Sequence, residues 1–159
     1  MQLIPTLSDA EVQAIEAEVA HLPDRQSAAI DALRIVQVHR GWVSDASVSA
    51  IAQLLDMSPA AVDSIATFYN LIYRQPVGRH VILVCDSVSC FLLGSETISQ
   101  TLTKILGIEL GQTTEDDRFT LLPIVCLGAC DHAPTLMIDE DLIHDVTPEN
   151  LEGILQTYE

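Results

Sequence analysis

Through the first half of the chain, apolar positions recur every three or four residues, the spacing of one face of an α-helix. Ser8 and Glu11 open the first run as a capping-box pair, and Val12, Ile15 and Val19 follow on one face. A second helix is expected from about Gln26 to Arg40, with Ala29, Leu33 and Val36 inward and Gly41 placed to end it in a left-handed cap. Val48, Ile51 and Leu55 mark a third. Ser58 before Pro59 starts a fourth, continued by Val62, Ile65, Ala66 and Tyr69. Thr67, Phe68 and Tyr69 read most simply as core of that helix. Residues 1–75 therefore predict a small helical bundle.

The period changes at Gln75-Pro76-Val77-Gly78, which reads as a turn-like linker. The unbroken apolar run from His80 to Val84 suits a buried strand. Residues 95–106 read as a helix with Ile98, Leu102, Ile105 and Leu106 on one face. Strands are expected over Phe119 to Val125, Thr135 to Ile138 and Leu142 to Asp145. Pro123 lacks a backbone donor and so places part of the second strand at a sheet edge. Thr147-Pro148 is expected to cap a last helix carrying Leu151, Ile154, Leu155 and Tyr158. The order β-α-β-β-β-α over residues 76–159 predicts a small α/β sandwich of thioredoxin type. The fold class is then α+β, a helical bundle (1–75) followed by an α/β domain (76–159).

The chain has 159 residues, enough to bury a core without disulfides. Its longest apolar runs fall far short of the ~20 residues that span a bilayer, so no direct membrane insertion is expected. No basic stretch followed by an apolar segment opens the chain, and an intracellular location is expected. The net charge is −16, with 9 acids and 5 bases in residues 1–79 against 14 acids and 2 bases in 80–159. Such a field repels phosphate backbones, excludes nucleic-acid binding, and favours docking on a basic protein surface.

All four cysteines lie in the acidic half, as Cys85-x4-Cys90 and Cys126-x3-Cys130. Each pair begins where a predicted strand ends, and a loop is expected to curl back and present the second thiol. Two adjacent strands would bring both loops to one end of a sheet. Four thiolates suit a [2Fe–2S] cluster, two to each iron, with backbone N–H groups of the loops facing the sulfurs. Gly94 and Gly128 are expected to let backbone approach closely. Structural zinc takes the same four thiolates, and spacing alone leaves both open. No C-x-x-C pair points to redox thiols. His132 lies two residues after Cys130, but four cysteines suffice, and an exposed loop histidine is expected. No nucleophile–base pair, nucleotide-binding glycine motif or substrate site is evident, so no catalytic residue is assigned.

Cys85-Asp86-Ser87-Val88-Ser89-Cys90 followed by Gly94 resembles the first ligand loop of the thioredoxin-like [2Fe–2S] ferredoxin family, and Cys126-Leu127-Gly128-Ala129-Cys130 followed by Ala133-Pro134 resembles its second. Ala66-Thr67-Phe68-Tyr69, Gln75 to His80 and Arg118 to Pro123 are similar, more narrowly, to members serving bacterial NADH:quinone oxidoreductase, respiratory complex I. The similarity runs from about residue 8 to 158. It implies one [2Fe–2S] cluster on Cys85, Cys90, Cys126 and Cys130 and a role in electron transfer. It implies a place beside the flavoprotein subunit that binds NADH and FMN, among other peripheral-arm subunits. That arm faces the cytoplasm and is peripheral to the inner membrane. There the cluster would take one electron from the flavin, off the main path to quinone. It further implies that residues 66–69 lie near the flavoprotein contact, and that Pro134 stands where thioredoxin folds often hold a cis proline. Related members serve NAD-dependent formate dehydrogenases and NAD-reducing hydrogenases, the alternative reading.

Overall fold

A computed structural model of the chain describes residues 7–158, which form two compact units, one ending at Pro76 and one beginning at Val77.

The first unit holds four α-helices: α1 (Asp9–Val19), α2 (Ala29–Arg40), α3 (Asp45–Leu54) and α4 (Pro59–Phe68), with a 3-10 turn, Gln26–Ala28, leading into α2. Serines start three of them. Ser8, Ser44 and Ser58 each accept a backbone N–H from the first turn, and Ser8 and Glu11 complete the expected capping box. Gly41 ends α2 at φ +81°, where an L side chain is strained. The inward residues Ile15, Leu33, Val36, Ile51, Leu55 and Val62 are fully buried and form one core. Buried beside them is Glu11, whose carboxylate takes both Nε and Nη2 of Arg40 at 2.6 Å. The expectation that Thr67, Phe68 and Tyr69 are helix core is wrong. All three are exposed, because α4 ends at Phe68 and Tyr69 turns to extended backbone.

The second unit is built on a four-stranded sheet in the order β2-β1-β3-β4. The strands are β1 (His80–Cys85), β2 (Phe119–Ile124), β3 (Leu136–Ile138) and β4 (Asp141–Ile143). β1 and β2 are parallel, joined by a connection carrying α5 (Val88–Leu92) and α6 (Ser95–Leu106); β3 and β4 complete the sheet antiparallel. β1 is central and buried on both faces, which explains its unbroken apolar run. Pro123 stands on the edge strand β2, as its missing donor requires. Ile82, Leu102, Leu121, Leu136, Ile138 and Leu151 fill a second core.

The second unit departs from expectation at three further places. Residues 88–92 form the helix α5 where a loop is expected. Ile105 is exposed, not inward. Thr147-Pro148 does not cap the last helix: Thr147 and Asn150 close a turn on each other, and α7 covers only Leu151–Leu155. The Ala133–Pro134 bond is cis.

Candidate functional site

The parallel register of β1 and β2 sets Cys85 opposite Ile124, and the Asp86 N–H donates to the Ile124 carbonyl at 3.0 Å. Both strands therefore finish level, and Cys126 follows two residues beyond Ile124. The Cys85 N–H donates at 3.3 Å to the carbonyl of Thr135, just before β3. One end of the sheet thus gathers the first cysteine of each motif and the entry to β3.

The second cysteines are not presented by loops as expected. Cys90 sits inside α5, and Cys130 opens a 3-10 turn, Cys130–His132. A short turn of helix fixes a side chain with fewer free dihedrals than an open loop does. None of the four cysteines is in a disulfide. Cys85 and Cys90 are buried, each about 1% exposed, whereas Cys126 and Cys130 are exposed. The Cys126 and Cys130 sulfurs lie 3.8 Å apart. A tetrahedral metal holding thiolates at ~2.3 Å sets their sulfurs ~3.8 Å apart, so this pair is spaced for one metal ion. Among the described residues no group of three His, Cys, Asp or Glu side chains is arranged to hold a metal ion. The cysteines meet by twos.

The surroundings act unequally on the thiols. Gly128 donates its N–H to the Cys126 sulfur at 3.4 Å. Burial pushes the Cys85 thiol up, but the Ser87 and Leu127 N–H groups, Cys90 and the Thr135 side chain outweigh it, and the net direction is down. Burial pushes the Cys90 thiol up despite the Thr135 hydroxyl, whose Oγ1 stands 3.6 Å from Sγ. Cys130 is raised chiefly by its neighbour Cys126, against a hydrogen bond with Ser89. Leu127 acting on Cys85, and Ser89 on Cys130, tie the two cysteine segments together. A Cβ on Gly94 or Gly128 would meet no other atom of the chain within 4 Å. Each position also has a positive φ, +106° and +83°, which favours glycine.

His132 is exposed and turns its nitrogens to carboxylates, Nδ1 lying 3.1 Å from Asp145 and Nε2 3.7 Å from Asp131, with its ring stacked on His144. Around the site stand Val88, Phe91, Leu92, Leu93 and Val125, apolar side chains between 58% and 75% exposed. Asp86 and Asp131 are exposed beside their cysteines. Sequence reasoning missed Thr135 and Ser89. The only signal for Thr135 was its position at the head of a predicted buried strand.

Residues 15–159 match the family model described as thioredoxin-like [2Fe–2S] ferredoxin. The E subunit of the NADH-quinone oxidoreductase of Pseudomonas aeruginosa is 51% identical over 152 residues, 96% of this chain and 92% of that protein. Its counterpart in Escherichia coli strain K12 is 52% identical over the same shares. Among solved structures, an NAD+-reducing [NiFe]-hydrogenase in the H2-reduced state superposes with a TM-score of 0.67 at 20% identity, over 79% of this chain and 22% of that one, a likeness of fold.

Proposed function

Because this chain belongs to the thioredoxin-like [2Fe–2S] ferredoxin family, and is similar along nearly its whole length to the E subunit of NADH-quinone oxidoreductase, we propose that it is the electron-transfer subunit of such an enzyme. Cys85, Cys90, Cys126 and Cys130 would hold its one [2Fe–2S] cluster, which takes four thiolates. The observation that carries the assignment is the level finish of β1 and β2, which delivers both pairs to one end of the sheet, one pair at tetrahedral spacing.

When bound, the cluster supplies one-electron redox chemistry. The chain's own residues set the conditions for it. Burial of Cys85 and Cys90 keeps water from one side of the site. The N–H groups of Ser87, Leu127 and Gly128 offset thiolate charge without adding a cation. Val88, Phe91, Leu92, Leu93 and Val125 form an apolar face around the exposed pair, suited to dry contact with a partner. That partner is the flavoprotein subunit that binds NADH and FMN. The excess of acids over residues 80–159 steers the chain toward a basic rim on it. This chain carries no substrate site of its own. No described helix is long and apolar enough to cross a membrane, so the tie to the membrane runs through the other subunits of the peripheral arm, on its cytoplasmic side.

The test is the full chain purified without oxygen. A brown protein that gives a spin-half paramagnetic signal on dithionite reduction is expected, lost or altered when any one of the four cysteines is replaced by serine. A colourless protein carrying one zinc ion would make the chain a zinc-braced scaffold and overturn the assignment. The hydrogenase likeness supports a second reading, the same module in an NAD-reducing hydrogenase or formate dehydrogenase. The partners that co-purify decide between them, and the 51–52% identities favour the quinone reductase.

A further inference from the structure

Thr135 has a hydroxyl with an unusual surrounding. The residue is 2% exposed, and its Oγ1 stands 3.6 Å from the Cys90 sulfur. Its carbonyl accepts the Cys85 N–H, so the same residue touches both cysteines of the buried pair; its side chain acts on both sulfurs, with the 3.6 Å contact to Cys90. β3 fixes it from behind, since Leu136 pairs with Val84 in the central strand. Resting on the cluster assignment above, we propose that Thr135 is a positioning residue that sets the reduction potential of the site by donating its hydroxyl proton to the Cys90 sulfur.

The direction of the hydrogen bond follows from the chemistry. A thiol and a hydroxyl can each donate to the other. A metal-bound cysteine has no proton, so in the loaded protein the hydroxyl is the donor. Adding an electron places more negative charge on the sulfurs. A donated hydrogen bond then strengthens, because bonds to charged acceptors are about twice as strong as neutral ones. The buried side of the site makes the difference larger than it would be in water. In the exposed pair, Cys126 receives a backbone N–H, which no side-chain substitution removes, and Cys130 has Ser89, a side chain only half-buried. Thr135 is therefore a buried place where a side-chain change tunes the potential without touching a ligand.

The experiment uses the full chain with its cluster loaded and follows the paramagnetic signal through a redox titration. Thr135→Val keeps shape and removes the hydroxyl. It is expected to shift the reduction equilibrium about fivefold against the reduced form, about 40 mV more negative at 59 mV per tenfold. Thr135→Ser, which keeps the hydroxyl, is expected to stay near wild type. Should Thr135→Val not take up its cluster, Thr135→Ala against Thr135→Ser isolates the hydroxyl in a smaller side chain, with the alanine form expected to be the more negative. A potential that does not move, that rises, or that shifts equally with serine and valine overturns the proposal while leaving the cluster assignment standing. A wild-type chain with no [2Fe–2S] spectrum overturns both.

Discussion

Glu11 was legible as half of a capping box, and the reciprocal bonds with Ser8 are present at 2.7 and 3.2 Å. Its partner Arg40, 29 residues away, was not legible, because ion pairs between helices follow packing and not local spacing. The Arg40 hydrogen bond, against the cost of burial, lowers the Glu11 carboxyl from 4.5 to about 2. A carboxyl held lower in the folded chain stabilises it above its unfolded value, and the contribution fades as pH falls from about 4.5 toward 2. That shift corresponds to about 3 kcal/mol. Glu11→Gln should lower the urea midpoint for loss of helicity at pH 7 and flatten its decline between pH 5 and 3. An unchanged acid limb would refute the linkage. At the site itself, exposure separates the thiols. In the cluster-free native chain, iodoacetamide should label Cys126 and Cys130 well before Cys85 and Cys90, as peptide mass mapping would read. Asp86 and Asp131 oppose an added electron, so replacing both with asparagine should raise the potential. The rise should be small, since both are exposed and screened.

Among elements, the strands and long helices were readable because their faces repeat: Val48, Ile51 and Leu55 are buried as spaced. The five-residue α5 was not readable. It is too short for a period, and its apolar residues Phe91 and Leu92 face outward. The same hidden element explains why spacing assigns Cys90 to a loop. Two glycines at element ends test different physics. A Cβ on Gly78 would lie 2.9 Å from the Asp117 carbonyl, and the Gly78 N–H donates to the buried Thr120 hydroxyl at 2.7 Å. Gly94 has open space but φ +106°. Gly94→Ala should cost about 1 kcal/mol, the backbone penalty alone. Gly78→Ala should cost roughly 2 kcal/mol or more, since backbone must move. Thermal denaturation of the two variants in parallel checks the order, and the reverse ranking would refute it.

At the scale of the whole chain, charge was fully legible, while the apolar face was visible only as scattered residues. Folding gathers Val88, Phe91, Leu92 and Leu93, close in sequence, with Val125 near the cysteines. If that face meets the flavoprotein, Leu92→Glu should weaken association about tenfold while leaving the cluster's spectrum intact. The wild-type association rate should fall as salt rises, because the steering field is screened. Surface plasmon resonance at several ionic strengths reads both. A salt-independent rate and an unaffected variant would put the contact elsewhere.

The parallel pairing of β1 with β2 also makes the site a product of long-range pairing. His80 meets Phe119 only after the intervening crossover has been synthesised, and Cys130 lies farther along still. A nascent chain leaving the ribosome therefore carries two thiols with no counterpart until the central strands have zipped. The four-thiol site is thus complete only in the paired sheet, so cluster binding would add its free energy to that of folding.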